Sequence, residues 1–103
     1  MAEFVKAVRT AELVPGKGTV VELNGVRIAI FNVDGAFYAM NDTCTHASGP
    51  LSEGDLDGTV VTCPWHGATF DIKTGAVLGP PAADGVRSYE VKTEGDDVLV
   101  KVG

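Results

Sequence analysis

The sequence predicts an all-β fold, in which an antiparallel β-sandwich or meander forms a base that carries a small inserted subdomain. Apolar and polar residues alternate over most of the chain, which is the period of half-buried strands. Glycine is frequent, with 13 residues among 103, as expected for a chain with many tight turns. A chain of this length holds one core, so 1–103 is expected to be a single domain.

The first part of the chain is predicted to form four strands, at 4–8, 19–23, 26–31 and 36–40. Asn24-Gly25 separates the second strand from the third. This dipeptide favours a type I′ turn, because both central residues of that turn need a positive φ. Asp34-Gly35 separates the third strand from the fourth in the same manner. We therefore expect the four strands to form one antiparallel meander.

The middle of the chain has a different composition. Between about residues 42 and 81 glycine and proline are frequent, and only two short strands are predicted. These strands lie at 59–62 and 68–72, and alternation returns at 86–92 and 97–102. The predicted organisation is a base formed by 1–41 and 82–103, with an inserted subdomain at about 42–81.

Every cysteine and histidine of the chain lies in this insertion. They form two pairs, Cys44-Thr45-His46 and Cys63-Pro64-Trp65-His66, separated by sixteen residues. Two thiolates and two imidazoles are the ligands of a Rieske [2Fe–2S] centre, in which two histidines replace two cysteines on one iron. Each pair follows a predicted strand, so two loops would bring the four side chains to one point.

Two alternative interpretations use the same residues. Zinc also binds two cysteines and two histidines, although zinc fingers usually group cysteine with cysteine and histidine with histidine. A disulfide between Cys44 and Cys63 is the other alternative. It leaves His46 and His66 unexplained, and thiols stay reduced in a cytoplasmic protein.

The chain resembles the Rieske-type ferredoxins of aromatic-ring dioxygenase systems, whose hallmark is this Cys-x-His and Cys-x-x-His pattern. The resemblance extends over nearly the whole chain and includes further segments: Leu51–Gly54, Asp57-Gly58, Cys63–Gly67, Phe70-Asp71, Thr74-Gly75 and Gly79–Pro81. It implies a Rieske fold with one [2Fe–2S] cluster. By the same resemblance Cys44 and Cys63 bind the inner iron, His46 and His66 bind the outer iron, and a proline loop at Gly79–Pro81 covers the cluster.

The chain also departs from the high-potential Rieske proteins of respiratory complexes. Those proteins carry an additional disulfide beside the cluster, and a Ser and a Tyr that donate hydrogen bonds to sulfur. The corresponding positions here are Gly49, Trp65, Ala68 and Phe70. Fewer hydrogen bonds to sulfur stabilise the reduced cluster less, so we expect a reduction potential of roughly −150 mV, at the low end of the Rieske range.

Further residues receive roles from their position in the sequence. Trp65, Leu51 and Pro81 are expected to shield the cluster from water, and Tyr38 and Tyr89 are assigned to the β core. Most acidic residues are expected to form a solvated surface, with a few in a docking patch. The acidic residues nearest to the ligand loops in sequence are Asp42, Glu53, Asp55 and Asp57.

The net charge of −6 argues against nucleic acid as a partner and favours a protein with a basic docking surface. The start of the chain shows no secretory signal, and its apolar stretches are far shorter than the ~20 residues of a membrane span. We therefore expect a cytoplasmic protein that binds no membrane.

The predicted function is that of a soluble one-electron carrier. It would take electrons from a flavin-containing reductase and pass them to a terminal oxygenase, as a monomer and without catalysis of its own. Both histidines serve the cluster, so none is left for a second iron site or for a nucleophile. The alternative is a Rieske-type small subunit of a nitrite reductase, and a redox sensor ranks last because it would need a further domain.

Overall fold

The computed structural model describes residues 3–43, 50–65, 67–79 and 85–102. Three of the four predicted ligands, Cys44, His46 and His66, lie outside the described residues, as do Pro80 and Pro81. Within the described ranges the chain forms two short 3₁₀ helices, at Thr10–Glu12 and Leu51–Glu53, and eleven strands. The strands are β1 Glu3–Arg9, β2 Lys17–Leu23, β3 Val26–Val33, β4 Ala36–Asn41, β5 Asp55–Asp57, β6 Val60–Thr62, β7 Thr69–Asp71, β8 Val77–Gly79, β9 Ser88–Tyr89, β10 Val91–Glu94 and β11 Asp97–Val102.

Within the described ranges the strands form three sheets. The sheet that we call the second contains the predicted meander. Its strand order is β2-β3-β4-β9, and all its neighbours are antiparallel. Asn24 and Gly25 have φ values of 51° and 79°, and Asp34 and Gly35 have 52° and 92°. Positive φ at both central residues is the signature of the type I′ turn, so both predicted hairpins are confirmed.

The place of β1 in the meander was predicted wrongly. This strand does not pair with β2 but with β11, which in turn pairs with β10, so the first sheet has the order β1-β11-β10. A 3₁₀ helix at Thr10–Glu12 follows β1, where a meander would need a tight turn. The Thr10 N–H donates to the Asp96 carbonyl at 2.8 Å, which extends the pairing with the C-terminal hairpin.

The third sheet is formed by the insertion, in the order β5-β6-β7-β8. The two predicted short strands correspond to β6 and β7, whereas β5 and β8 on either side were not predicted. β5 and β8 have three residues each, too few to show a clear period in the sequence. The predicted turn at Asp57-Gly58 is present, with Gly58 at φ 60°.

The predicted strand at 86–92 is divided into two in the structure. Ser88 and Tyr89 pair with β4 in the second sheet, and the chain then passes through Glu90 into β10 of the first sheet. One segment of alternating apolar and polar residues thus contributes a strand to each of two sheets. The alternation of apolar and polar residues shows which residues are half-buried, but it does not show with which strand they pair.

Two buried clusters hold the three sheets together. One lies between the first and second sheets and includes Ile28, Ile30 and Val100. The other lies between the second and third sheets and includes Ala29 and Phe31. Successive side chains of a strand point to opposite faces, so β3 is buried on both faces and reads as a nearly continuous apolar run.

Both tyrosines are partly buried and pack against the core as predicted. Tyr38 packs against the cluster between the second and third sheets, and Tyr89 packs against the cluster between the first and second sheets. Among the described residues, no helix has the length and apolar character needed to cross a membrane.

Candidate iron–sulfur site

The second predicted ligand loop connects β6 to β7. Beyond the last strand pair, the Cys63 N–H donates to the Ala68 carbonyl at 2.7 Å, and the Gly67 N–H donates to the Cys63 carbonyl at 3.1 Å. Gly67 has φ 78°, a value that a residue with a side chain rarely adopts. These bonds hold the two ends of the second ligand loop, at Cys63 and at Gly67 and Ala68, close to each other.

Burial changes sharply along this loop. Cys63 and Ala68 at its base are buried, with 1% and 0% of their surface exposed, whereas Pro64, Trp65 and Gly67 at its end are exposed. The thiol of Cys63 therefore faces the core. The predicted ligand His66 stands in the sequence between two exposed residues.

The first predicted ligand loop, residues 44–49, is described only at its neck. Thr43 and Pro50 form an isolated antiparallel bridge. Next to it, the Leu51 N–H donates to the Asp42 carbonyl at 2.6 Å, and the Ser52 N–H donates to Asp42 Oδ1 at 2.7 Å. The segment that carries Cys44 and His46 thus leaves β4 and returns to the same place.

One buried cluster joins the bases of the two loops. Leu51, at the end of the first loop, is fully buried and belongs to the same cluster as Cys63, Ala68 and Phe70 of the second. Leu51 was expected to shield the site from water. The structure places it in the core, where it anchors the first loop beside the second.

The segment that leads into the predicted proline loop lies beside the second ligand loop. Gly79 ends β8 and pairs with Thr69, the residue after Ala68. A Cβ at Gly79 would come 2.7 Å from Thr69 Oγ1, so a larger residue there would force the Thr69 side chain to move. The chain returns at Val86, whose N–H donates to the Gly75 carbonyl at 2.8 Å.

Other predicted residues have mixed outcomes. Ala68 and Phe70 are both fully buried beside Cys63, and neither has a hydroxyl group to offer to sulfur. Trp65 has 58% of its surface exposed, and its role in shielding stays a prediction.

Asp42, one of the four acidic residues near the ligand loops in sequence, does not belong to the solvated surface that is expected for most acidic residues. It is 1% exposed, because its carboxylate binds the neck of the first loop. Glu53, Asp55 and Asp57 are exposed, as a docking surface requires.

The sequence interpretation also missed Asn41, Asp42 and Ser52 as structural partners of the site. Asn41 Oδ1 accepts a hydrogen bond from the Tyr89 hydroxyl at 2.6 Å. A polar pair two residues before the first ligand, Asn41-Asp42, was the available signal. Short polar side chains at the end of a strand often bind neighbouring backbone groups.

Cys63, the one predicted ligand that the structure describes, fits an iron–sulfur cluster. Cys63 offers a soft sulfur ligand at the boundary between an apolar core and an exposed loop end. No group of three or more His, Cys, Asp or Glu side chains capable of holding a metal occurs within the four described ranges, since only one of the four predicted ligands belongs to them.

Comparison with known protein families decides between the alternatives. The model of the Rieske [2Fe–2S] domain matches residues 3–90. The chain belongs to the Rieske [2Fe–2S] domain family. Its cofactor is therefore one Rieske-type [2Fe–2S] cluster, and the zinc and disulfide alternatives are set aside.

The curated relatives of this Rieske domain include ferredoxin subunits of dioxygenases. The chain is 45% identical to the biphenyl dioxygenase ferredoxin subunit of Pseudomonas sp. (strain KKS102), over 94% of the chain and 90% of the relative. It is 41% identical to the 3-phenylpropionate/cinnamic acid dioxygenase ferredoxin subunit of Escherichia coli (strain K12), over 93% of the chain and 91% of the relative.

Solved structures agree with this relationship. The Sphingomonas yanoikuyae B1 ferredoxin has a TM-score of 0.91 and 30% identity, covering 98% of this chain and all of its own. The ferredoxin in a complex with the oxygenase of carbazole 1,9a-dioxygenase has a TM-score of 0.89 and 35% identity, covering 95% and 92%. A nitrite reductase small subunit is also similar, with a TM-score of 0.82 and 26% identity, covering 95% and 97%.

Proposed function

We propose that this Rieske domain is a one-electron carrier that passes electrons from a flavin-containing reductase to the terminal oxygenase of a dioxygenase system. The observation that carries the proposal is the change in burial along the second ligand loop, from the buried Cys63 to the exposed Trp65 and Gly67. Cys63 would hold the cluster at this boundary between core and solvent, where the bound group would supply one-electron chemistry within reach of a partner protein. The relatives named as dioxygenase ferredoxin subunits support the oxygenase as the partner.

The ligands in this proposal are Cys44 and Cys63 on the inner iron and His46 and His66 on the outer iron. Burial of Cys63 supports its inner position, because the core excludes water from its sulfur. The exposed residues on both sides of His66 support an outer position for that imidazole. The bridge between Thr43 and Pro50 supports a closed first loop that presents Cys44 and His46 together.

We also propose that the chain divides into a base, 1–41 and 82–103, and a cluster-binding subdomain at about 42–81. The third sheet, from β5 to β8, lies entirely within the proposed subdomain. The strands of the other two sheets lie entirely within the proposed base. This division lets the base supply rigidity while the subdomain presents the ligand loops.

A cytoplasmic monomer is the proposed form of the protein. Reduced thiols in that compartment suit the two cysteine ligands. A monomer suits a carrier that must meet a reductase and an oxygenase in turn with the same exposed edge. The net charge of −6 favours partners with basic docking surfaces.

The first test is an EPR-monitored redox titration of the purified protein under anaerobic conditions. A rhombic signal with an average g below that of all-cysteine clusters is expected, near the low end of the Rieske potentials. Cys63→Ser and Cys44→Ser should abolish this signal. Trp65→Phe leaves all four proposed ligands in place and should retain it. Zinc in place of iron, or retention of the signal in both serine variants, would refute the ligand assignment.

The alternative role as a nitrite reductase subunit rests on the similarity to such a small subunit at 26% identity. It differs in how firmly the partner is held. A diffusing carrier should elute as a monomer from gel filtration and exchange electrons with an oxygenase during a brief encounter. Stable co-purification with a large subunit would favour the alternative instead.

A further inference from the structure

Asp42 is the residue at which the chain leaves β4 for the first ligand loop, and only 1% of its surface is exposed. Its N–H donates to the Arg27 carbonyl at 3.1 Å, which continues the ladder between β3 and β4. Its carbonyl accepts from the Leu51 N–H at 2.6 Å, and its Oδ1 accepts from the Ser52 N–H at 2.7 Å. One residue thus binds both β3, the neighbour of the strand that leads into the loop, and the residues after the loop.

The position of these bonds gives them a consequence for the ligands. They close the neck of residues 44–49, which carry Cys44 and His46 two and four positions after Asp42. Leu51 lies in the same buried cluster as Cys63. The contacts of Asp42 therefore connect the neck of the first loop to the core against which the second loop rests.

The carboxylate acts here mainly as a hydrogen-bond acceptor. Its second oxygen lies 3.7 Å from Arg27 Nη2, and the Arg27 side chain is 58% exposed. An ion pair with so exposed a partner is weak, because water screens the charge. The bond from Ser52 is buried, and a buried N–H that loses its acceptor destabilises the local structure.

We propose that Asp42 is a positioning residue, whose carboxylate binds the Ser52 N–H and so holds Cys44 and His46 in register with Cys63. This inference rests on the ligand assignment under Proposed function. Replacement of the acceptor should loosen the loop and change the geometry of the cluster. A residue that only stabilised the fold would leave the cluster unchanged.

The experiment compares the purified holoproteins of the wild type, Asp42→Ala and Asp42→Asn. Asp42→Ala removes the acceptor, whereas Asp42→Asn keeps an oxygen for the Ser52 N–H and removes the charge. Arg27→Gln tests the ion pair alone. Should Asp42→Ala fail to fold, Asp42→Glu replaces it, because the longer side chain displaces the carboxylate from Ser52.

Asn32→Ala is the matched control for a general loss of stability. Asn32 is 4% exposed and its side chain also ties loop backbone to a strand, donating to the Leu13 carbonyl at 2.7 Å and accepting from Gly35 at 2.8 Å. It pairs with Phe37 on β4, four residues before Asn41. Four residues of a strand span about 13 Å, so this pair lies about 13 Å along β4 from Asn41, where the strand ends before the first ligand loop.

Two readouts are measured beside the melting temperature: the g-values and line width of the reduced cluster, and the rate of cluster loss to a chelator. Asp42→Ala should shift and broaden the EPR signal and lose the cluster about tenfold faster, a factor that corresponds to about 1.4 kcal/mol. Asp42→Asn should restore both readouts, and Arg27→Gln should resemble the wild type. Asn32→Ala should lower the melting temperature with an unchanged EPR signal.

Each outcome has one meaning. If Asp42→Ala (or its replacement Asp42→Glu) has the wild-type EPR signal and the same rate of cluster loss as Asn32→Ala, Asp42 is structural only and the inference is wrong. If Asp42→Asn behaves like Asp42→Ala, the charge rather than the hydrogen bond matters, which also overturns it. If the wild type itself gives no mixed-ligand signal, the proposed function fails first and this inference with it.

Discussion

The Tyr89 hydroxyl donates a hydrogen bond of 2.6 Å to Asn41 Oδ1, although 48 residues separate the two in sequence. The Asn41 N–H donates to the Arg87 carbonyl at 2.8 Å, and the Arg87 guanidinium lies 4.9 Å from the centre of the Tyr89 ring. Asn41 directly precedes Asp42 at the neck of the first ligand loop. The segment that follows the proline loop is thus joined to the start of the first loop.

Tyr89→Phe should lower the stability of the protein by about 1 kcal/mol, because Asn41 loses its hydrogen bond while the ring keeps its packing. In a domain of this size that change corresponds to a fall of several degrees in melting temperature. Calorimetry of the holoprotein measures it. Tyr38→Phe is the control, since Tyr38 makes no hydrogen bond to another described side chain, and an equal loss in both variants would argue against the bond.

Gly75→Ala should destabilise the protein far more than Gly25→Ala, although both glycines have φ 79°. The backbone strain of about 1–2 kcal/mol is common to the two positions. A Cβ at Gly25 would meet open space, whereas one at Gly75 would collide with the Val86 carbonyl. That collision would break the bond that closes the predicted proline loop. Urea unfolding of both variants gives the difference, and similar midpoints would refute the steric argument.

Ala68→Ser should raise the reduction potential. Ala68 is fully buried beside Cys63, and a hydroxyl there is expected to donate to sulfur, as the Ser of high-potential Rieske proteins does. A hydrogen bond worth ~1 kcal/mol corresponds to roughly 40 mV for a one-electron couple. Ala39→Ser, at a buried alanine in the other cluster, should leave the potential unchanged. A redox titration in which Ala68→Ser falls or stays level would contradict the prediction.

Electron transfer to the oxygenase should slow about tenfold as salt rises from roughly 0.02 M to 0.5 M, because opposite charges steer the encounter. Asp55→Asn with Asp57→Asn should weaken this dependence, since both residues are exposed within the proposed cluster-binding subdomain. Glu22→Gln removes an exposed charge from the base and is the control. Stopped-flow rates that do not vary with salt would mean that docking is not electrostatic.

The sequence alone was sufficient for the positions of β2, β3 and β4 in the second sheet and for the cofactor. Asn24-Gly25 and Asp34-Gly35 determine their turns locally, because positive φ is a property of those residues. The Cys and His pattern likewise depends on residue type and spacing, and the match to the Rieske family over 3–90 agrees with it.

The tertiary structure decided what depends on partners distant in the chain. The pairing of β1 with β11 and the division of 86–92 between two sheets involve residues far apart in sequence, and the burial of Asp42 depends on a residue beyond the first ligand loop. Alternation shows that a residue is half-buried, and an acidic side chain is usually exposed. Neither pattern specifies the neighbour. Buried Asp42 accepts a hydrogen bond from the Ser52 N–H, and that contact exists only in the folded chain.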